Sequence, residues 1–436
     1  MRFVDGKSMA ENRIYKGYWW LPSAPDDRVA GVLTVKTDGD LCLELFGGFG
    51  QEEEGVTIER EQDRVIYGRC YATNGHMKDV SLFECFSSFN LNISSSFPLT
   101  RYSCRFALIG IHTLSMTDED FFEANVSFDE LTYWCPPNNI ARCFDESTVT
   151  IVIDNSVEKA TLTEIGLEDG VTLKLKQGSS GSSDFDYQRV LIEQSTYLEV
   201  SKEGLSGFDV LESVRMFERF LALAMLAPVE HGKITLFARK CCQRTKDEMC
   251  CYHPIELVTF LYKSESKRNM KFPEMLFKYE DVADSFAEMY KRYWSDESIA
   301  LIWSNLIDSL EKKRIFTSND FLVVIQALDG FSIRFRKGIG LLERLTLLRE
   351  EFRDIKRLIL TGDDLEAARG SRNYYSHILK LENKKKKNAL DGAQLFYLTK
   401  KLRVLLICCV LSFLGMDNKK INELLNNCNN SILRDI

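Results

Sequence analysis

Two periodicities divide the chain. Up to about residue 200, apolar, aromatic and β-branched residues come in short runs broken by turn residues, at 29–36, 41–46, 55–59, 65–72, 148–154 and 171–176, with Asp38-Gly39-Asp40 separating two of them. Such runs predict strands, and their number predicts a sandwich or barrel-like β domain. Residues 177–183, Gln-Gly-Ser-Ser-Gly-Ser-Ser, have the composition of a flexible connection and predict a mobile hairpin tip. From about residue 279 the period becomes helical, with apolar stripes over 281–294, 299–312, 318–335, 341–360, 363–381, 389–414 and a short stretch at 421–425. Between these regions, 208–227 has helical spacing closed by Pro228, and 234–238 and 257–262 look like further strands. The expected fold class is α+β: a β-rich N-terminal domain over 1–275, including a smaller mixed unit at 205–275, followed by an all-α helical bundle over 276–436.

Composition agrees with packed interiors. The chain has 436 residues, 45% of them hydrophobic and 11% aromatic, enough for two or more cores. Met1-Arg2-Phe3-Val4-Asp5-Gly6-Lys7 has no apolar run of signal-peptide type, and the longest apolar stretch, 402–415, is short for a membrane span. A cytoplasmic protein without membrane association is expected. Its thirteen cysteines then read as reduced thiols.

Charge is unevenly placed. The net charge of −8 conceals +9 over residues 331–436 and −17 over residues 1–330. A basic C-terminal part suits a polyanion such as RNA, and Lys384-Lys385-Lys386-Lys387 is its densest patch. A solvated loop is the alternative reading of those four lysines.

The same basic part contains Arg372-Asn373-Tyr374-Tyr375-Ser376-His377. An Arg-Asn-x-x-x-His set is expected by chance only about 0.01 times in such a composition. Its chemistry suits RNA. A ribose 2′-hydroxyl beside the scissile phosphate needs proton transfer and charge stabilisation, without an obligatory metal. Histidine can move a proton near neutrality, and arginine can fork onto two phosphate oxygens. On a continuous helix Asn373 and His377 share a face, whereas Arg372 and His377 diverge by about 140°. A homodimeric cleft, in which Arg372 of one copy approaches His377 of the other, would bring them together. Alternatively, Ser371 caps a helix that starts at Arg372, after Gly370, and places Arg372 and Asn373 at an anion-attracting N-terminus. Arg369 and Glu366, one and two turns before Asn373, could line the same cleft or be solvated.

The motif, the helix before it, the Lys-rich connection and the apolar helix after it resemble a HEPN ribonuclease domain of the Apea-like type, over about residues 280–436. Gly17-Tyr18-Trp19-Trp20-Leu21-Pro22, Val29-Ala30-Gly31-Val32-Leu33 and Leu41-Cys42-Leu43-Glu44-Leu45 resemble the N-terminal domain that accompanies this HEPN type in ApeA-like phage-defence proteins. The resemblance implies a HEPN endoribonuclease of an abortive-infection system, acting as a homodimer or higher homo-oligomer. Arg372 and His377 are the implied catalytic pair, with Asn373 as the supporting polar residue. Transfer RNA is one candidate substrate, and a phage-derived trigger acting on the N-terminal domain is the implied control. Lys384 to Lys387 and Arg369 are the expected RNA contacts. The alternative is a catalytically silent HEPN dimerisation or RNA-binding module, with function residing in the N-terminal domain.

No cofactor is implied. There is no phosphate-binding G-x-x-x-x-G-K-[ST], no dinucleotide fingerprint in a strand-to-helix setting, and no H-E-x-x-H. Cys241-Cys242, Cys250-Cys251 and His253 supply enough soft ligands for zinc, but adjacent pairs are not the usual C-x2-C spacing, so free thiols near a strand end are the expectation. Trp19 and Trp20 read as core rather than as a base-stacking pair.

Overall fold

The structure is a computed structural model that describes residues 12–49, 64–72, 75–88, 99–138, 140–144, 149–154, 156, 160–183, 190–244, 250–259, 274–310, 316–336, 338–377 and 388–433. The expected strand at 55–59 and Lys384 to Lys387 lie outside these residues. The fold is α+β, as the two periodicities predict, and the chain divides into two compact units.

The first unit comprises Met1–Thr132, Pro137–Val214 and Glu230–Lys267. Its strands β1 (Arg13–Trp20), β2 (Val29–Val35), β3 (Leu41–Leu45), β4 (Arg64–Ala72), β5 (Met77–Ser88) and β6 (Thr100–Cys104) form an antiparallel ring. β1 pairs with both β2 and β4, β3 with β2 and β6, and β5 with β4 and β6, so no edge is left open around this circuit. Alternation places Leu33, Leu41, Leu43, Leu45, Ile66 and Leu82 inside, fully buried. Trp19 fills the remaining volume. Its indole needs two glycines opposite it: a Cβ on Gly68 would stand 2.3 Å from the ring, and one on Gly31 3.0 Å from it.

Trp20, which faces the other way, is buried too. His112 packs edge-on against it at 5.4 Å, Tyr67 edge-on at 6.5 Å, and the Arg28 guanidinium lies 4.8 Å from a ring centroid. Both tryptophans are therefore core residues, one inside the barrel and one under a cover on its outer wall.

The sheet continues from β5 to β7 (Phe106–Ile109), and two strands from later in the chain stand between β7 and β8 (Phe121–Phe128). After a helical turn, α1 (Leu131–Trp134), come a small ribbon of β9 (Ile140–Phe144) and β10 (Val149–Ile153), then β11 (Thr161–Gly166), β12 (Thr172–Ser183) and β13 (Val190–Leu205). The Gly/Ser tract differs from its expectation. Gly178 to Ser183 extend β12 and pair with β13 from Ser195 back to Val190, because main-chain pairing holds a strand that side-chain preference alone does not favour. The long helix α2 (Gly207–Met225) precedes β14 (His231–Ala238), the hairpin of β15 (Cys242–Arg244) and β16 (Cys250–Tyr252), and β17 (Ile255–Thr259).

The second unit takes Tyr133–Pro136, Arg215–Val229 and Arg268–Ile436. Its helices are α3 (Phe286–Ser295), α4 (Glu297–Leu310), α5 (Ser318–Phe335), α6 (Leu341–Glu351), α7 (Gly362–Ser376), α8 (Gly392–Phe413) and α9 (Asn418–Asn427), joined by the end of α2 and by Trp134. The packing core at this end is aromatic. Phe220 of α2 lies within 6.5 Å, centroid to centroid, of Trp134, Phe277, Phe286, Tyr290, Tyr293 and Trp303. The Trp303 indole N–H donates to the Arg219 carbonyl at 3.0 Å, satisfying the polar edge of a fully buried ring.

The stripe predicted as one helix over 341–360 breaks after Glu351. Leu345, Leu348, Phe352 and Ile355 are buried, but Ile359 is exposed. Two side chains of α9 substitute for the missing helical hydrogen bonds: Asn418 donates to the Glu351 carbonyl at 2.8 Å, and Asn422 accepts from the Lys356 N–H at 2.9 Å. Among the described residues no helix is long and apolar enough to cross a membrane.

Candidate active site

The motif lies at the C-terminal end of α7. That helix starts much earlier than Arg372. Thr361 caps it, accepting from the Asp364 N–H at 3.1 Å while the Asp364 carboxylate accepts from the Thr361 N–H at 2.9 Å and its hydroxyl at 3.0 Å. Lys401 of α8 adds contacts of 2.9 and 3.1 Å to the same carboxylate. Partial burial pushes the Asp364 carboxyl upward, but the Thr361 and Lys401 contacts outweigh it and hold the group below the ordinary carboxylate range.

This placement corrects the reading in which Ser371 caps a helix beginning at Arg372. The helix passes through Gly370 without a break, and Ser371 is fully buried within it. Arg372 and Asn373 are therefore at the carbonyl end of a helix, where a cation is favoured, rather than at its anion-attracting N-terminus. The Thr-x-x-Asp pattern at 361–364 was the sequence signal for the true start.

Ser371 has another role. Its Oγ accepts from the Leu390 N–H at 2.9 Å, and Tyr375, one turn later, donates its hydroxyl to the Leu390 carbonyl at 2.8 Å. Ser371, just before the motif, and Tyr375 within it thus hold both backbone polar groups of the residue leading into α8. Leu365, Ala367, Ala368, Gly370 and Ser371 form the buried side of α7, and their mostly small side chains let it pack closely against α5 and α6.

The other side faces solvent. Arg372 and Asn373 are half-buried, and Arg372 Nη1 donates to Asn373 Oδ1 at 3.3 Å. His377 is the C-cap, with φ −102° and ψ 3°, and is exposed. Among the described residues Arg372 makes no ion pair and His377 makes no side-chain hydrogen bond. Arg372, Asn373 and His377 thus occupy one helix end, His377 exposed and the other two half-buried. Arg369 is also exposed, one turn earlier, and is paired at 2.5 Å with Glu366.

Residues 14–293 match the family described as ApeA N-terminal domain 1, and residues 285–420 match the Apea-like HEPN family. The chain belongs to the ApeA family. The HEPN match contains the whole motif helix, and the N-terminal match contains the barrel with both tryptophans. HEPN domains are generally ribonucleases that act on RNA and dimerise, and this pairing of domains is that of an anti-phage defence nuclease. No curated protein and no solved structure matches the chain.

The cysteine and histidine cluster at 241–253 does not converge. Among the described residues no group of three or more His, Cys, Asp or Glu side chains is placed to hold a metal. The β15–β16 register explains this: Cys242 and Cys250 share one hairpin face, and Cys251, opposite Gln243, has the other.

Proposed function

We propose that the chain is a metal-independent endoribonuclease of an abortive-infection anti-phage system, with Arg372, Asn373 and His377 as its reacting set. Attack by the 2′-oxygen forms a bond to phosphorus as the bond to the 5′-oxygen breaks, leaving a 2′,3′-cyclic phosphate and a 5′-hydroxyl. His377 transfers the proton lost by the 2′-hydroxyl or gained by the 5′-oxygen, and Arg372 stabilises charge on the non-bridging oxygens. Asn373 holds the Arg372 guanidinium in place and orients the phosphate.

The observation that carries the reading is the position of the set. All three groups stand at the solvent-facing end of a helix whose opposite side is fixed by Ser371 and Tyr375. A buried Arg372 or His377 in an apolar setting would favour a silent module instead. Two copies packed through this helix end would place Arg372 of one beside His377 of the other, giving the homodimeric or higher-order assembly a catalytic purpose. Lys384 to Lys387 and Arg369 are proposed to hold the RNA backbone, and the N-terminal domain to restrain the nuclease until a phage-derived trigger binds. Transfer RNA is the substrate to examine early.

The test is incubation of purified wild type, Arg372→Ala and His377→Ala with total cellular RNA in EDTA, after each has been shown to fold and to share one oligomeric state. Cyclic-phosphate fragments from wild type alone support the assignment. Equal cleavage by all three, or none by any of them together with unchanged phage protection in cells, refutes it.

A further inference from the structure

Two cysteine pairs among the described residues have their thiols in hydrogen-bond contact. Cys85 and Cys104 meet on adjacent strands inside the barrel, 1% and 7% exposed. The other pair is Cys242 and Cys250 on the β15–β16 hairpin. Its register sets Cys242 opposite Tyr252 and Arg244 opposite Cys250, so the two cysteines are diagonal neighbours on one face. Cys242 is half-exposed and Cys250 exposed.

We propose that Cys242 and Cys250 form a reversible oxidation site, closing a disulfide across the hairpin when the protein meets a peroxide. In the first step one thiolate attacks a peroxide oxygen. The O–O bond breaks, water leaves after protonation, and that cysteine becomes a sulfenic acid. In the second step the other thiolate attacks the sulfenic sulfur, the S–O bond breaks, and a second water leaves as the S–S bond forms. Both sulfurs are oxidised and the peroxide is reduced. A thiol reductant reverses the change.

Two features separate this pair from the other cysteines. The partner thiol is already in contact, so the sulfenic acid is intercepted before further oxidation. Solvent reaches the site, in contrast to the barrel pair and to Cys408 and Cys409, which are fully buried. Cys251, on the opposite face, has no such geometry with Cys242.

The experiment uses the full chain and hydrogen peroxide, followed by alkylation of remaining thiols and trypsin without reduction. Cleavage after Lys240, Arg244, Lys246 and Lys263 puts residues 241–244 and 247–263 on separate peptides, so a disulfide appears as their cross-link. The expected result is that cross-link, lost after reduction, absent from Cys242→Ser and Cys250→Ser, and retained in Cys241→Ser and Cys251→Ser. A cross-link that survives in Cys242→Ser, or that disappears in Cys241→Ser, assigns the chemistry to another pair and overturns the proposal. So does complete alkylation of both peptides after peroxide treatment. Circular dichroism of each serine variant separates loss of the pair from loss of the fold.

Discussion

Tyr375 and Leu390 are joined by a hydrogen bond of 2.8 Å from the phenol to a main-chain carbonyl, and the N–H of that same Leu390 is held by Ser371. Removing either tether should cost about 1 kcal/mol, the net worth of one such bond. Tyr375→Phe and Ser371→Ala are expected to lower the denaturation midpoint and to reduce RNA cleavage without abolishing it. Unchanged midpoints in both variants would show that the tether does not stabilise the protein in solution.

Asp364 gives the stability of the helical unit an acid limb. A carboxyl held below its unfolded value contributes stability that is complete above about pH 4 and is lost as pH falls through the folded value. Asp364→Ala should therefore destabilise at pH 7, by about 1 kcal/mol for the lost cap alone. Its deficit relative to wild type should shrink in the acid limb. Urea titrations at neutral and acid pH test this, and a deficit independent of pH would contradict it.

The barrel interior has no room at Gly68. An alanine Cβ there would meet the Trp19 ring at 2.3 Å, so Gly68→Ala should destabilise by about 1–3 kcal/mol or more. The double variant Gly68→Ala with Trp19→Leu should recover part of the loss, since the ring is the obstacle. Thermal melts of both decide it; a fully tolerated single alanine would mean that the barrel is less tightly packed than its geometry indicates.

Tyr290 leads to the opposite expectation. Its hydroxyl is buried and without a hydrogen-bond partner among the described residues, and burial holds its pKa far above the ordinary phenol value. Tyr290→Phe removes a desolvated polar atom and keeps the ring, so stability should be unchanged or should rise by about 1 kcal/mol. A marked fall in the denaturation midpoint would reveal a partner for the hydroxyl.

The contrast between these residues shows what the sequence could specify. Alternation at 29–36, 41–46 and 65–72 identified strands, and helical spacing identified most of the bundle, because both periods are properties of local chain geometry. Ring closure and the depth of Trp19 depend on partners distant in sequence. The end of α6 was illegible for the same reason: its apolar stripe continues, but Asn418 and Asn422 arrive from α9 to satisfy a broken backbone. At the motif, Arg372, Asn373 and His377 were legible as a candidate set. The functions of Ser371 and Tyr375 were not, since their shared partner is a backbone position beyond the motif.

Phe220 and Trp134 precede the HEPN match, yet both belong to the packed interior of the helical unit. A gene break at residue 275 would divide one hydrophobic core between two polypeptides. A protease cutting there would leave Trp134 and Phe220 on a different fragment from the helices they pack against, so the bundle released by the cut would lack part of its own core.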